Sequence, residues 1–309
     1  MTEILIKACS FLLIIAGGYG LKRMHFFSAS DYRLISKIVL NLTLPCAVIT
    51  SFASGFQRDT SLYYIVAVGL AANAIMFLVG VLLARRQDRC CKYLYGLMIP
   101  GYSIGTFIIP FAQSFVGPSG VVVACMFDIG NSLMCTGFTY AILSGRLEAG
   151  GSRGALRHTL QKLTHSTAFL TYCALLLLSI LGLTIPASIL QLTTTVGSAN
   201  SFLSFLMIGT MFELRLDRLH RKQVGTVVLT RLASAIVFAL IAWMCLPFST
   251  QTRSVLAMIA FAPIPATPVA LTELATGDGK LPSLACSITI LVAMVAVTAL
   301  ALASPTGPV

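Results

Sequence analysis

Two carboxylates that lie within apolar runs are the residues whose types and spacing best suit chemistry. Asp128 and Glu273 both fall in stretches apolar enough to cross a bilayer, where an ionisable side chain is costly and by default a functional candidate. Asn131 follows Asp128 by one helical turn, so both side chains are expected on one helix face. We expect Asp128, Asn131 and Glu273 to hold a proton or a cation. The alternatives are structural, with Asp128 bonded to a neighbouring hydroxyl or amide and Glu273 paired with Lys280.

One arginine, Arg231, also lies within an apolar run, about two turns from its start. Its long side chain is expected to extend back towards the cytoplasmic side of the membrane. It would otherwise neutralise a carboxylate or attract an anion, and the sequence leaves these roles open.

Two segments rich in proline and glycine, 100–110 and 263–268, interrupt apolar runs. Proline has no amide hydrogen and clashes with the preceding turn, and glycine permits non-helical backbone, so we predict that each helix breaks near the middle of the membrane. A half-helix that begins there presents free amides and the positive end of its dipole to an anion. The alternative is that the prolines only kink packed helices. The residues expected to form the breaks are Gly101, Gly105, Pro110, Pro263, Pro265 and Pro268.

Small polar side chains lie in or near the same segments and in two further apolar runs. Asn41, with Thr43 and Pro45, interrupts the second run, and Asn200 interrupts the seventh. Such residues either face a polar pocket or allow helices to approach closely. The candidate ligand-binding residues are Ser103, Thr106, Thr267, Asn41 and Asn200.

Several other functions are excluded by context. Residues 101–105 match the G-x-S-x-G pattern of hydrolases, but that motif requires a strand, a turn and a helix, and here it lies within an apolar run. The nine cysteines form no C-x-x-C pair, and there is no phosphate-binding loop and no metal-ligand cluster. We therefore expect neither an enzyme nor a bound cofactor, with H⁺ or Na⁺ as the ion that would act with Asp128.

The composition of the chain indicates a polytopic α-helical membrane protein. Of its 309 residues 57% are hydrophobic and 10% are charged, with a mean hydropathy of +0.91, whereas soluble domains carry about a quarter charged residues. A spanning helix needs about 20 mostly apolar residues. Ten such runs are predicted, at 4–21, 32–54, 61–84, 93–115, 119–144, 166–184, 188–212, 224–246, 253–275 and 281–303.

The distribution of basic residues predicts how these helices are oriented. The net charge of +11 could indicate binding to nucleic acid, but the Lys and Arg residues form short clusters between apolar runs and no basic face. Most of the 21 lie in alternate connections, which the positive-inside rule assigns to the cytoplasm. Both termini are then expected on the non-cytoplasmic side, and the membrane is expected to be the plasma membrane.

The order of the runs predicts two inverted halves. Residues 1–145 hold five predicted helices and residues 166–309 hold five more, joined by a cytoplasmic linker at 146–165. The two proline-rich segments are in the fourth helix of each half. Inverted repeats with interrupted helices at matching positions are typical of secondary transporters.

Several short motifs resemble the auxin efflux carrier family of permeases. They are Lys37–Pro45 in the second predicted helix, Ile108–Pro110 followed by Phe115–Gly120, Phe127-Asp128 with Asn131, and Pro263 with Pro268. Ser103 departs from the family pattern, because many members have an asparagine at this position, seven residues before the proline that corresponds to Pro110.

The resemblance implies a homodimer in which predicted helices 1, 2, 6 and 7 form a scaffold. Helices 3–5 and 8–10 would form a transport domain that moves by an elevator mechanism in the lipid bilayer. It also implies a small organic anion as substrate, such as auxin, malonate or malate. The alternatives are a sodium-coupled organic anion symporter of the bile-acid type, or a membrane receptor or channel that does not transport.

Overall fold

The computed structural model describes residues 2–28, 31–55, 61–147, 161, 163–211 and 221–303. These residues form helices and turns, with no strand among them. Most of the predicted linker at 146–165 lies outside the described residues. The helices are α1 (Thr2–Arg23), α2 (Tyr32–Gly55), α3 (Ser61–Leu83), α4 (Arg89–Met98), α5 (Ile104–Phe115), α6 (118–147), α7 (Thr167–Leu181), α8 (Ala187–Ser198), α9 (Asn200–Met211), α10 (Arg221–Met244), α11 (Thr250–Ala260), α12 (Ala266–Thr276) and α13 (Lys280–Ala303).

Four of these helices, α2, α3, α10 and α13, are long and apolar enough to cross a membrane by length and composition. The shorter helices α5 and α7 are also apolar. Many large hydrophobic side chains lie exposed on the outside of the helices, as expected for a surface that contacts lipid. Examples are Leu13, Leu78, Leu229, Met244 and Val295.

The helical path is interrupted in both proline-rich segments. Helix α4 ends at Met98 and α5 begins at Ile104, while α11 ends at Ala260 and α12 begins at Ala266. Gly101 adopts a positive φ of 87°, a conformation that side-chain-bearing residues rarely adopt. The five residues between each pair of helices thus have extended or irregular backbone.

The second predicted helix is widened where we expected an interruption. Residues Val39–Thr43 form a π turn, in which the amide of Leu44 donates to the carbonyl of Val39. Leu44 and Pro45 follow, and widening the turn moves the preceding carbonyl away from the proline ring. The same arrangement recurs in α5, where the π turn Ile104–Ile108 lies directly before Ile109 and Pro110.

Helices α3 and α6 approach each other until their backbones touch. A Cβ atom added at Gly69 would lie 2.3 Å from the carbonyl oxygen of Phe127, and one added at Gly130 would lie 2.2 Å from that of Val66. Only glycine fits at both positions, so the two helices hold a fixed register. This contact places Asp128 and Asn131 of α6 against the first helix break.

Replacing Gly130 with Ala is expected to destabilise the protein by about 1–3 kcal/mol, because the new methyl group would push the backbones apart. Thermal unfolding of the purified protein in detergent measures this as a lower Tm. Gly17→Ala is the matched control, because a Cβ atom there would meet nothing within 4 Å. Equal Tm values for the two variants would contradict the close backbone contact.

Candidate functional site

The two helix breaks meet each other at one cavity. The backbone amide of Ser103 in the first break donates to the carbonyl of Pro263 in the second, at 3.0 Å. The N-terminal ends of α5 and α12 therefore lie side by side. They border a cavity of about 190 Å³ whose lining includes Ser103, Thr106, Asp128, Tyr172, Pro265 and Thr267.

Two buried asparagines hold the first break. The side-chain oxygen of Asn131 accepts from the amide of Tyr102 at 3.0 Å, and its side-chain nitrogen donates to the Tyr102 carbonyl at 2.9 Å. Asn73 of α3 accepts from the amide of Gly101 at 2.8 Å and donates to Asn131 at 3.2 Å. Backbone groups freed from a helix inside a membrane must be paired within the protein, and these two amides meet that requirement.

The second break is held by α13. The amide of Ile264 donates to the hydroxyl of Thr289 at 3.2 Å, and the thiol of Cys286 donates to the carbonyl of Ile264 at 3.3 Å. The bond from Ser103 to Pro263 adds a third contact. Each break is thus fixed by side chains from neighbouring helices as well as by the other break.

Arg231 of α10 binds the carbonyl ends of both interrupted helices. Its guanidinium donates to the carbonyls of Ile99 at 2.6 Å, Gly101 at 2.9 Å and Ala262 at 2.8 Å. It also lies 5.6 Å from the centre of the Tyr102 ring, within range of a cation–π interaction. The side chain is only 6% exposed, so the expectation that it extends to the cytoplasmic surface is wrong. The carbonyls of the break satisfy its donors instead.

Asp128 is buried at the cavity wall, with 7% of its surface exposed. One carboxylate oxygen accepts from the amide of Asn131 at 2.7 Å and from the hydroxyl of Ser132 at 3.5 Å. The buried hydroxyl of Tyr172 lies beside this carboxylate. Among the described residues it makes no hydrogen bond of standard length and angle. No Lys or Arg side chain pairs with Asp128 in this part of the chain, so its charge is uncompensated when it is ionised.

Three hydroxyls lie at the N-terminal ends of the helices that border the cavity. Those of Ser103 and Thr106 lie 2.9 Å apart and share a hydrogen bond, and Thr267 lies at the start of α12. The described residues contain no group of three or more His, Cys, Asp or Glu side chains that could hold a metal ion. Hydroxyls and free helix amides are suited to bind a carboxylate.

The structure brings together most of the residues that the sequence analysis selected. Eight of them line the cavity: Ser103, Gly105, Thr106, Asp128, Asn131, Pro263, Pro265 and Thr267. Gly101 lies in the first break beside them, and Pro110 and Pro268 are buried within α5 and α12.

Three selected residues lie away from the cavity. Asn41 is exposed and accepts from the hydroxyl of Thr167 at 2.7 Å. Asn200 is fully buried and accepts from the hydroxyl of Thr43 at 3.1 Å. Glu273 is exposed in the last part of α12.

Sequence reasoning missed Asn73, Tyr172 and Thr289. Asn73 carried a usable signal, because it is an isolated amide in an otherwise apolar run. The hydroxyls of Tyr172 and Thr289 carried none, because their importance depends on which backbone atoms they meet.

Comparison with known proteins finds similar membrane transport proteins. Residues 4–154 match a protein-family model described as "Membrane transport protein". This match confirms the resemblance to the auxin efflux carrier family. The matched part includes α1 to α6 and the first helix break, and with its apolar helices the chain is an integral membrane protein.

A curated relative is also described as a transporter. An "uncharacterized transporter" of Methanothermobacter thermautotrophicus is 24% identical to this chain over 148 residues. The alignment covers 47% of this chain and 48% of the relative, so the chain spans about half the length of the curated relative that it matches.

Replacing Asn73 with Ala is expected to lower stability by about 1–3 kcal/mol, because the buried amide of Gly101 would lose its acceptor. Asn41→Ala is the control, since this exposed asparagine should change stability by no more than about 0.5 kcal/mol. Thermal unfolding in detergent compares the two variants. A loss as small in Asn73→Ala as in the control would contradict the assigned role of Asn73.

Proposed function

We propose that the chain is a secondary-active transporter of small organic anions, such as auxin-like compounds or mono- and dicarboxylic acids. The observation that carries the proposal is the meeting of two helix N-termini at one cavity lined by hydroxyls. Each helix N-terminus is equivalent to roughly half a positive charge. Together α5 and α12 present about one positive charge to the cavity, which favours a carboxylate.

The substrate carboxylate would dock at Ser103, Thr106 and Thr267. These hydroxyls lie at the N-terminal ends of α5 and α12, where free backbone amides also point towards a bound anion. Gly105 lies on the same turn, and its missing side chain leaves room beside the Tyr172 hydroxyl, which would be 3.5 Å from an added Cβ atom. A carboxylate bound here would exchange its hydrating water molecules for the hydroxyl and amide donors of the protein.

Asp128 would couple an ion to the substrate. An ionised Asp128 and an anionic substrate in one cavity of about 190 Å³ would repel each other. A proton on Asp128, or Na⁺ bound to it, removes that repulsion and allows the anion to enter. Asn131 would then have two functions, since it contacts both Asp128 and the broken backbone at Tyr102.

The architecture we propose is ten spanning segments in two inverted halves, with the two breaks as crossovers. The scaffold would consist of α1, α2, α7, α8 and α9, and the transport domain of the other helices. The cavity wall draws residues from both groups, with Leu44 and Tyr172 on one side and Ser103 and Thr267 on the other. This placement supports an elevator movement of one group past the other, in a homodimer in the plasma membrane whose termini are non-cytoplasmic.

Transport by purified protein in liposomes tests the proposal. Malonate, malate, lactate and indole-3-acetate are supplied as labelled acids, each with its uncharged amide as competitor. We expect uptake of at least one acid, inhibition by excess unlabelled acid and little inhibition by the amide. Uptake of none of them, or equal competition by acid and amide, would overturn the proposed substrate class.

Replacing Thr106 with Val is expected to lower uptake at least about tenfold, because a hydrogen bond to a charged carboxylate is lost while the side-chain volume stays the same. Thr194→Val is the control: this exposed hydroxyl only donates to the carbonyl of Leu190 within its own helix. Uptake by Thr106→Val equal to that of the control would exclude Thr106 from the binding site.

Replacing Asp128 with Asn is expected to remove the dependence of uptake on pH or on Na⁺, because the amide can neither take up a proton nor balance a cation. The measurement is uptake across pH 5–8 and with or without a Na⁺ gradient. Asp88→Asn, at an exposed carboxylate before α4, should retain the wild-type dependence. An unchanged pH and ion profile in Asp128→Asn would exclude the coupling role.

A further inference from the structure

Arg231 is a buried cation with no carboxylate partner among the described residues. Its observed partners are carbonyl oxygens, which carry partial negative charge, and the face of the Tyr102 ring. Burial of an arginine within a membrane protein is costly and usually has a functional reason. The carbonyls of a broken helix do not by themselves require a full positive charge, because the neutral side chains of Asn131 and Cys286 donate to the carbonyls of Tyr102 and Ile264 in the same breaks.

The carbonyls that Arg231 binds lie one to three residues after the C-terminal ends of α4 and α11. Each such end is equivalent to roughly half a negative charge, so the two together carry about one. They lie within a few residues of the N-terminal ends of α5 and α12, which carry the opposite charge. Without a cation at this junction, the two negative ends would largely cancel the two positive ends as sensed from the cavity.

We propose that Arg231 is a positioning residue that gives the cavity its preference for anions, by neutralising the carbonyl ends of α4 and α11. Its guanidinium does not line the cavity. It acts through the break, because it binds the carbonyl of Gly101 and lies 5.6 Å from the ring of Tyr102, a residue of the cavity lining. This inference deepens the proposed function and rests on it for the sign of the substrate charge.

A purely structural role would depend on the hydrogen bonds of Arg231 and not on its charge. Two substitutions separate these contributions. Arg231→Gln keeps a side-chain donor and removes the charge, whereas Arg231→Lys keeps the charge and removes the forked guanidinium that reaches both breaks at once. We expect the preference for anions to depend on the charge at position 231, and the stability of the protein to depend on the hydrogen bonds made there.

The electrostatic potential of the cavity can be measured without knowing the substrate. Thr106→Cys introduces a thiol at the cavity wall, after those native cysteines that react have been replaced by Ala. The probes are 2-sulfonatoethyl methanethiosulfonate, an anion, and 2-(trimethylammonium)ethyl methanethiosulfonate, a cation. The ratio of their reaction rates reports the sign of the local potential, and the same protein without the introduced cysteine gives the background.

We expect the anion-to-cation rate ratio to fall at least about tenfold in Arg231→Gln, as the loss of a unit charge near a low-dielectric cavity requires. Arg231→Lys should remain within about threefold of wild type. An unchanged ratio in Arg231→Gln would overturn the proposal, and so would an equal fall in both variants.

A second measurement applies if Arg231→Gln does not fold. Lysine loses its charge at high pH and arginine does not, so the rate ratio in Arg231→Lys should fall as pH rises, relative to the wild type at the same pH. The titratable groups that face this position, Tyr102, Cys135 and Cys286, are the same in both proteins. A ratio that changes with pH in the same way in both proteins would contradict the proposal.

These results are separable from a failure of the proposed function. The reagent ratio does not depend on which acid is carried, so it reports on Arg231 even if none of the four acids is transported. Conversely, uptake of an acid with an unchanged reagent ratio in Arg231→Gln would keep the substrate class and reject the role of Arg231.

Discussion

The requirement that every freed backbone group be paired inside the protein governs this structure. A helix interrupted within a membrane exposes amides and carbonyls that lipid cannot satisfy. The amides at Gly101 and Tyr102 are bound by asparagines of α3 and α6, the amide of Ile264 by a hydroxyl of α13, and the nearby carbonyls by Arg231 of α10. The positions of four helices therefore follow from the pairing of two short segments. Of these partners only Asn131 lines the cavity, whereas Asn73, Thr289 and Arg231 contact the breaks outside its lining.

The sequence was informative about where the backbone departs from helix and less informative about what compensates for it. Proline and glycine act on their own backbone, so both breaks could be predicted from 100–110 and 263–268 alone. Asp128 and Asn131 could be predicted because an ionisable residue in an apolar run is rare. The partners of the breaks could not, because a hydroxyl such as that of Thr289 is ordinary in sequence and becomes important only through packing.

The prolines also show why identical signals had different outcomes. Pro45 leaves α2 continuous, because a π turn directly before it makes room for its ring. Pro110 likewise follows a π turn and leaves α5 continuous, whereas the interruption lies at 99–103, where Pro100 is followed by Gly101 with its positive φ. Whether a proline widens or interrupts a helix thus depends on glycine nearby and on polar side chains able to bind the backbone that an interruption releases. Only the first of these can be found by inspecting the local sequence.

The direct bond between Ser103 and Pro263 has a mechanical consequence. It joins the segments that precede α5 and α12, which are distant in sequence, where each backbone is not helical. Arg231 repeats the connection from the other side by holding carbonyls of both segments. The two breaks are therefore connected both by a direct hydrogen bond and through Arg231. A displacement of one break would then carry the other with it, and the hydroxyls of Ser103, Thr106 and Thr267 would keep their mutual geometry.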